Sequence, residues 1–246
     1  MADYLFIGEN IELLQKRIQT ASIRANRNPE DISFLAVSKF HPLEAVKEAY
    51  RHGIRRFGEN RVQEAVGKFT PEVRTEMPGI TLDMLGTLQG NKIGKALEAF
   101  DSIQSVSSLA LLEGIAKRLG LREKILDIYL ELHTGEASKS GFPSTESLFE
   151  AVGTYVSLKE RERGANGVPC PMRLVGLMTM APFTDDEELI RASFRRLSGA
   201  AEQLRERFDL PGFDQLSMGM SDDFEIAVEE GATLLRIGTA IFGARS

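Results

Sequence analysis

The sequence has a single cysteine and no long apolar run. Cys170 cannot form an intramolecular disulfide, and it has no companion Cys or His at the spacing of metal ligands, so a metal site is not predicted. The first residues include acidic side chains and no apolar run followed by a small-residue cleavage site, unlike a signal peptide. No stretch approaches the roughly 18 consecutive apolar residues of a membrane span. These absences favour a cytoplasmic protein.

The sequence also lacks a dominant charge and the common nucleotide motifs. Its 30 Lys and Arg face 36 Asp and Glu, which gives a net charge of −6 without long blocks of one sign. A nucleic acid or an anionic membrane is therefore not expected as the main partner. We find no P-loop, no dinucleotide fingerprint and no Gly-x-Ser-x-Gly elbow.

Short apolar, β-branched runs alternate with longer segments of helical period. The predicted strands are residues 32–38, 54–57, 81–85, 102–106, 125–132, 173–178, 213–217 and 233–237. The predicted helices between them are residues 42–51, 61–68, 91–100, 107–119, 187–208 and 222–230. Repeated βα units form parallel sheets, and eight of them close a barrel. We therefore predict one (β/α)8 TIM-barrel domain over residues 1–246, a typical size for this fold.

Two segments lie outside the βα repeat. Residues 10–25 predict an extra N-terminal helix that plugs or flanks the barrel bottom. Its apolar stripe would comprise Ile11, Leu14, Ile18 and Ile23. Residues 158–171 combine charge with Gly, Asn and Pro, and this composition predicts a long surface loop before the sixth strand.

Lys39 directly follows the first predicted strand, so its amine would emerge at the C-terminal rim, where TIM barrels place their chemistry. A lysine attacks an aldehyde only when neutral, and its usual pKa of about 10.4 must first be lowered by desolvation or by neighbouring cations. The residues alone leave open whether Lys39 is such a nucleophile or an ordinary solvated lysine.

Glycine-rich segments, SMGMS and RIGTAIFG, mark the ends of the seventh and eighth predicted strands. The loops after these two strands often form the phosphate site of a TIM barrel. Gly219 and Gly238 would let backbone N–H groups approach an anion, and Ser217 and Thr239 would add hydroxyl donors. Each cluster alone could be a tight turn, but together they predict a phosphate site.

Other polar residues close the second and eighth predicted strands. Arg236 could hydrogen-bond a ring atom of a ligand or form a structural ion pair. The run FGENR ends strand two, and Asn60 or Glu59 could reach the same mouth. Glu59 could equally be a first-turn charge of the following helix.

Several motifs in the same order resemble the pyridoxal phosphate homeostasis protein family over nearly the whole chain. They are AVSKF, FGENRVQEA, LGTLQGNK, GEASKSGF, GLMTMAP and LSMGMSDDFEIAVEEGATLLRIGTAIFG. The resemblance implies a barrel similar to the N-terminal domain of alanine racemase, with pyridoxal 5′-phosphate (PLP) held as a Schiff base on Lys39. It implies that Ser217, Gly238 and Thr239 hold the phosphate and that Arg236 faces the pyridine nitrogen. We expect Asn60 to be a further cofactor contact.

This chain departs from the family pattern at Asp83 and Thr87, where relatives usually carry histidines. The segment His133-Thr134-Gly135 also replaces a common Asn-containing turn, and it is one residue shorter. The family roles of those positions are therefore not carried over to this chain.

The resemblance implies a monomeric, non-catalytic carrier and buffer of PLP, which could pass the cofactor to PLP-dependent apo-enzymes. An arginine at the ring nitrogen makes the cofactor a weaker electron sink than an aspartate would. The alternative is an amino-acid racemase, which needs a base on each face of the substrate. Related racemases take the second base, a tyrosine, from a C-terminal domain, and this chain ends at Ser246. Tyr129, Tyr155 or a dimer partner would have to replace it.

Two further classes fit less well. A Schiff-base aldolase would generally carry its lysine on a later strand, whereas the sixth predicted strand ends in Leu177-Met178-Thr179. A purely structural protein would leave the combination of Lys39 with the two glycine-rich segments unexplained.

Overall fold

Eight parallel strands form a closed barrel in chain order in the computed structural model, which describes residues 4–119, 124–135, 140–166 and 171–244. The strands are β1 (Ser33–Val37), β2 (Arg56–Glu59), β3 (Thr81–Met84), β4 (Ser102–Val106), β5 (Leu126–Glu131), β6 (Met172–Met178), β7 (Gln215–Ser217) and β8 (Leu234–Ile237). Each overlaps one of the eight predicted strands. The predicted (β/α)8 TIM barrel is therefore confirmed.

The described part of the chain contains ten α-helices. They are α1 (Phe6–Arg24), α2 (Leu43–Arg51), α3 (Val62–Lys68), α4 (Pro71–Glu76), α5 (Ile93–Ala99), α6 (Leu109–Leu119), α7 (Thr145–Asn166), α8 (Glu187–Arg207), α9 (Phe224–Glu229) and α10 (Thr239–Phe242). Local chemistry explains where α8 begins, because the Asp186 side chain accepts hydrogen bonds from the N–H groups of Glu188 and Leu189. No helix in these residues combines the length and apolarity needed to cross a membrane.

The N-terminal helix α1 occupies the place of a missing eighth outer helix. The segment after β8 forms only one turn, α10, so it cannot cover the outside of the barrel there. Instead α1 packs against α9, α10 and α2, and the side chain of Asn10 donates a hydrogen bond to the carbonyl of Ile241 at 3.0 Å. The predicted extra helix is confirmed, but it lies in the outer layer of helices rather than at the barrel bottom.

The apolar stripe of α1 differs from the predicted one at its end. Ile11, Leu14 and Ile18 are buried as expected, but Ile23 is 66% exposed. A position five residues after Ile18 has rotated well away from the stripe, which continues instead through Ala21. The expectation for Ile23 was wrong.

The predicted surface loop at residues 158–171 is also wrong over most of its length. Helix α7 runs through residues 158–166, although no helix between the fifth and sixth strands was predicted. Leu, Lys, Glu and Arg are good helix formers, and a run of them outweighs a single glycine, Gly164. Cys170 and residues 136–139 of the GEASKSGF motif lie outside the described residues.

Side chains of the barrel strands alternate between the interior and the outer layer of helices. A small interior cluster is apolar and contains Leu35, Val37, Tyr129, Val175, Met178 and Leu234. The much larger apolar core lies between the barrel wall and the helices. Buried polar side chains also belong to the barrel strands, including Asp83, Gln104, Ser217 and Arg236.

Candidate ligand site at the barrel mouth

The strand register brings the predicted site residues together at the C-terminal rim. β1 lies between β2 and β8, with Val37 paired to Gly58 and Ala36 paired to Ile237. If the pairing of β1 with β2 is continued by two residues, Lys39 lies beside Asn60. If the pairing of β1 with β8 is continued by one residue, Gly238 lies beside Val37. Since paired residues on parallel strands face the same side, Lys39, Asn60 and Gly238 share the mouth of the barrel.

The backbone on both sides of Lys39 is held by α3. Phe40 has a φ of +65°, which is uncommon for any residue except glycine, and its N–H donates to Glu64 Oε1 at 2.6 Å. On the other side, Lys68 Nζ donates to the carbonyl of Ser38 at 2.7 Å. The loop that carries Lys39 is therefore fixed in a strained conformation.

These contacts belong to a buried group that we call the outer cluster: Ser38, Glu59, Glu64 and Lys68. Lys68 Nζ lies 2.7 Å from Glu59 Oε1 and 3.0 Å from Glu64 Oε1, and Ser38 Oγ donates to Glu59 Oε1 at 2.7 Å. The side chain of Glu59 is 0% exposed and that of Lys68 is 9% exposed. Burial raises the pKa of Glu59, while Lys68 acts in the opposite direction. Glu59 Oε2 has no hydrogen-bond partner within the described residues.

The outer cluster corrects one expectation for the site. Glu59 alternates with Gly58 and Asn60, which face the interior, so its side chain lies between the barrel wall and α3. The prediction that Glu59 could reach the mouth is therefore wrong. Its interaction is with Lys68, near the end of α3, rather than with the first turn of that helix.

A second polar group crosses the barrel interior, and we call it the inner chain: Arg56, Asp83, Gln104, Ser217 and Arg236. Arg56 donates to both Asp83 oxygens, at 2.8 and 2.7 Å. Gln104 Nε2 donates to Asp83 Oδ1 at 2.8 Å, and Ser217 Oγ donates to Gln104 Oε1 at 2.6 Å. Arg236 Nη1 then donates to Ser217 Oγ at 2.8 Å. The inner chain thus connects β2, β3 and β4 with β7 and β8.

Arg236 is the member of the inner chain nearest to the mouth. Its other terminal nitrogen, Nη2, donates to the carbonyl of Thr179 at 2.6 Å. Burial lowers the pKa of Arg236 to about 10, whereas Asp223 and Glu131 act to raise it. The guanidinium therefore stays protonated at neutral pH.

The glycine-rich segments meet at the same rim. Gly219 has a φ of +92°, and a Cβ there would lie 2.5 Å from the Ala227 side chain, so only glycine fits. After β8, the Ala240 N–H donates to Ser221 Oγ at 3.1 Å, which places the Ser221 hydroxyl beside Gly238 and Thr239. Ser221 was not among the predicted residues. Its signal was the second serine of SMGMS, but only the fold shows which serine faces the loop after β8.

Comparison with known proteins shows the family of this chain. Residues 10–246 match the family model of the alanine racemase N-terminal domain. The pyridoxal phosphate homeostasis protein of Pseudomonas aeruginosa is 38% identical over 244 residues, covering 97% of this chain and 96% of that protein. This chain belongs to the pyridoxal phosphate homeostasis protein family. The predicted family is therefore confirmed.

Solved structures related to this member of the family share the same barrel. PipY of Synechococcus elongatus PCC7942, solved with PLP bound, is 34% identical with a TM-score of 0.78, covering 96% of this chain and 100% of that chain. An alanine racemase from E. faecalis is 18% identical with a TM-score of 0.63, covering 94% of this chain and 58% of that chain. The predicted likeness to the N-terminal barrel of alanine racemase is confirmed as a likeness of fold.

Proposed function

We propose that this protein binds PLP reversibly through a Schiff base to Lys39 and acts as a carrier and buffer of the cofactor, without strong catalysis. The observation that carries the proposal is the meeting of three kinds of group at one rim. These are the lysine that follows β1, Lys39, the buried cation of Arg236, and the backbone and hydroxyl groups around Gly238. The names of the relatives and the PLP-bound structure of PipY support the same ligand.

The residues at the rim fit the chemistry of PLP. An aldehyde requires a primary amine, a ring nitrogen requires a hydrogen-bond donor, and a phosphate requires several N–H or O–H donors. We assign these parts to Lys39, Arg236 and the segment at Gly238 and Thr239. Asn60, which the register places beside Lys39, would add a polar contact near the aldehyde.

Lys39 would hold PLP through a carbon–nitrogen bond to the aldehyde carbon that the cofactor supplies, with release of one water molecule. The outer cluster keeps the backbone of Lys39 in place for this step. Arg236 would donate a hydrogen bond to the ring nitrogen, and the nitrogen would then stay unprotonated. Carbanion chemistry is thereby discouraged, in keeping with a carrier.

The two serines of the strand-seven segment receive different roles in the proposal. The O–H of Ser217 is donated to Gln104, and its oxygen accepts from Arg236, so Ser217 would act on the ligand through Arg236. Ser221 lies at the loop after β8 and would join Gly238 and Thr239 around the phosphate. Thr239 begins α10, so its N–H has no acceptor within the helix.

The racemase alternative gains no support from the two local tyrosines. The Tyr129 hydroxyl lies deep in the barrel, 3.1 Å from Arg56 Nη2, and burial raises the pKa of Tyr129 to about 12. The Tyr155 hydroxyl, on the outer helix α7, donates to the Met172 carbonyl and accepts from the Leu174 N–H. Neither tyrosine stands at the mouth as a second base.

The proposal is tested by titrating the purified protein with PLP and recording the absorbance spectrum, for the wild type and for Lys39→Ala. Lys47→Ala is the matched control, because Lys47 pairs with Glu76 at the surface of α2, away from the mouth. We expect Schiff-base absorbance in the wild type and the control, and only free-aldehyde absorbance in Lys39→Ala. Schiff-base absorbance that persists in Lys39→Ala would overturn the assignment.

The carrier role needs a separate measurement. The loaded protein is mixed with a PLP-dependent enzyme stripped of its cofactor, and the rate of reactivation is compared with that given by free PLP. We expect reactivation by the loaded protein and no turnover in racemase assays. Racemase turnover at an ordinary enzymatic rate would replace the carrier by the racemase.

A further inference from the structure

The hydrogen bonds of the inner chain all point towards Asp83. Both oxygens of the Asp83 carboxylate accept from Arg56, and Gln104 turns its amide N–H group, the donor end, towards the same carboxylate. The amide oxygen of Gln104 then faces Ser217, whose O–H donates to it. The Ser217 oxygen is left to accept from Arg236. Every donor in the sequence from Arg236 to Asp83 therefore points towards Asp83.

This direction links two buried charges that do not touch. Arg236 carries a positive charge near the mouth, and Asp83, 0% exposed, carries a negative charge across the interior. Aligned hydrogen bonds polarise one another in a low-dielectric interior. The neutral amide of Gln104 and the neutral hydroxyl of Ser217 can therefore transmit part of the stabilisation that each of the two charges gives the other. Arg56 donates to both oxygens of Asp83 and so supplies the counter-charge at that end of the inner chain.

We propose that Asp83 and Gln104 are positioning residues for Arg236, holding its guanidinium towards the ring nitrogen of the bound ligand through Ser217. The inference rests on the proposed PLP function. It gives a role to Asp83, the position at which this chain departs from the family pattern. If the carboxylate became an amide, Gln104 could turn its N–H group to Ser217. The Ser217 oxygen would then face two donors, and its own O–H would lose its acceptor.

The test compares PLP with an analogue in which a C–H group replaces the ring nitrogen. The dissociation constants of both ligands are measured for the wild type, Asp83→Asn and Gln104→Met, and the ratio of the two constants is the readout. Gln104→Met is the second variant because it removes the amide without leaving Arg56 beside a neutral side chain. Asp127→Asn is the matched control, since Asp127 pairs with the 55%-exposed Arg173 and makes no hydrogen bond to the inner chain within the described residues.

We expect the wild type and Asp127→Asn to prefer PLP by about tenfold, the size expected for a hydrogen bond with a charged donor. In Asp83→Asn and Gln104→Met the preference should fall to within about threefold. The double variant Asp83→Asn with Gln104→Glu should recover the preference. It places an acceptor-only group beside Ser217 and so restores the direction of the remaining bonds.

The outcomes separate this inference from the proposed function. If the wild type prefers PLP but both variants keep the same ratio, Asp83 and Gln104 have only a structural role and the inference fails alone. Equal weakening of both ligands in the variants leads to the same conclusion. If the wild type binds no PLP at all, the proposed function fails and the inference with it.

Discussion

The inner chain and the outer cluster bury charged groups on opposite faces of the same barrel wall, and they do so differently. In the outer cluster, Lys68 contacts Glu59 and Glu64 directly. In the inner chain, the cation of Arg236 and the anion of Asp83 are separated by two neutral side chains, Gln104 and Ser217. Both groups hold a residue that we assign to the ligand.

The difference follows from what each group must leave available. Lys68 binds no ligand in our proposal, so its donors are free to bind the Ser38 carbonyl and the carboxylates of Glu59 and Glu64. A carboxylate paired directly with Arg236 would occupy the guanidinium fork in a bidentate contact. Because Asp83 balances the charge of Arg236 without touching it, part of the guanidinium remains available for the ligand. Within the described residues, the hydrogen bonds of Arg236 use two of its five N–H groups.

The largest expected effect is on stability, when the outer cluster loses its cation. Lys68→Met should lower the free energy of unfolding by about 3–5 kcal/mol, because Glu59 would remain buried beside Glu64 without a counter-charge. Urea denaturation measures the change. Lys47→Met, which breaks an exposed pair with Glu76, is the control and should cost at most about 1 kcal/mol. Similar losses in the two variants would contradict the difference in burial.

A smaller loss is expected when the inner chain is cut at a neutral member. Ser217→Ala should lower the free energy of unfolding by about 1–2 kcal/mol, because Arg236 and Gln104 each lose one hydrogen bond. Ser33→Ala, which removes a bond to the Thr233 carbonyl from an exposed residue, should cost less. If Ser217→Ala lowers the free energy of unfolding as much as Lys68→Met does, the inner chain tolerates the loss of one member no better than a direct ion pair, which contradicts the comparison.

The strain at Phe40 gives the third comparison. At a φ of +65°, Phe40→Gly should be more stable than Phe40→Ala by about 1 kcal/mol, since glycine alone adopts this region without steric cost. Both variants lose the aromatic ring, which cancels its contact with Arg61. Urea denaturation of the two variants is the measurement. Equal midpoints would show that the loop relaxes when the ring is removed.

The smallest expected effect is a change in how stability depends on pH. Burial raises the pKa of Glu131 above its usual value, while the hydrogen bond from Ser140 Oγ and the charge of Arg236 oppose the shift. The folded protein therefore holds this proton to higher pH than the unfolded chain, and its stability falls as the pH rises through that window. Glu131→Gln should gain stability relative to the wild type over the same window. Denaturation at pH values below and above it is the measurement, and a constant difference would contradict the shift.

Much of the barrel could be predicted from the sequence because its strands are short apolar runs followed by amphipathic helices. The loop predicted over part of α7 is wrong because Gly164, Asn166 and the prolines that follow them are typical of loops, whereas the preceding run of good helix formers decides the structure. The rim residues Lys39 and Gly238 could be placed from strand ends alone, because strand order and direction decide which ends meet.

The inner chain could not be predicted in the same way. Gln104 and Ser217 are 113 residues apart, and their strands are not neighbours in the barrel. Their contact depends on the shear of the closed barrel and on side-chain length, which no local pattern contains. Asp83 stood out in the sequence only as a departure from the family, and its two partners give it a physical meaning.

The most direct test of the account is to locate the attached cofactor by mass spectrometry. The protein is loaded with PLP, reduced with borohydride to make the carbon–nitrogen bond permanent, digested, and mapped. We predict a single predominant adduct on Lys39. An adduct spread over surface lysines, or concentrated on a lysine other than Lys39, would contradict the account.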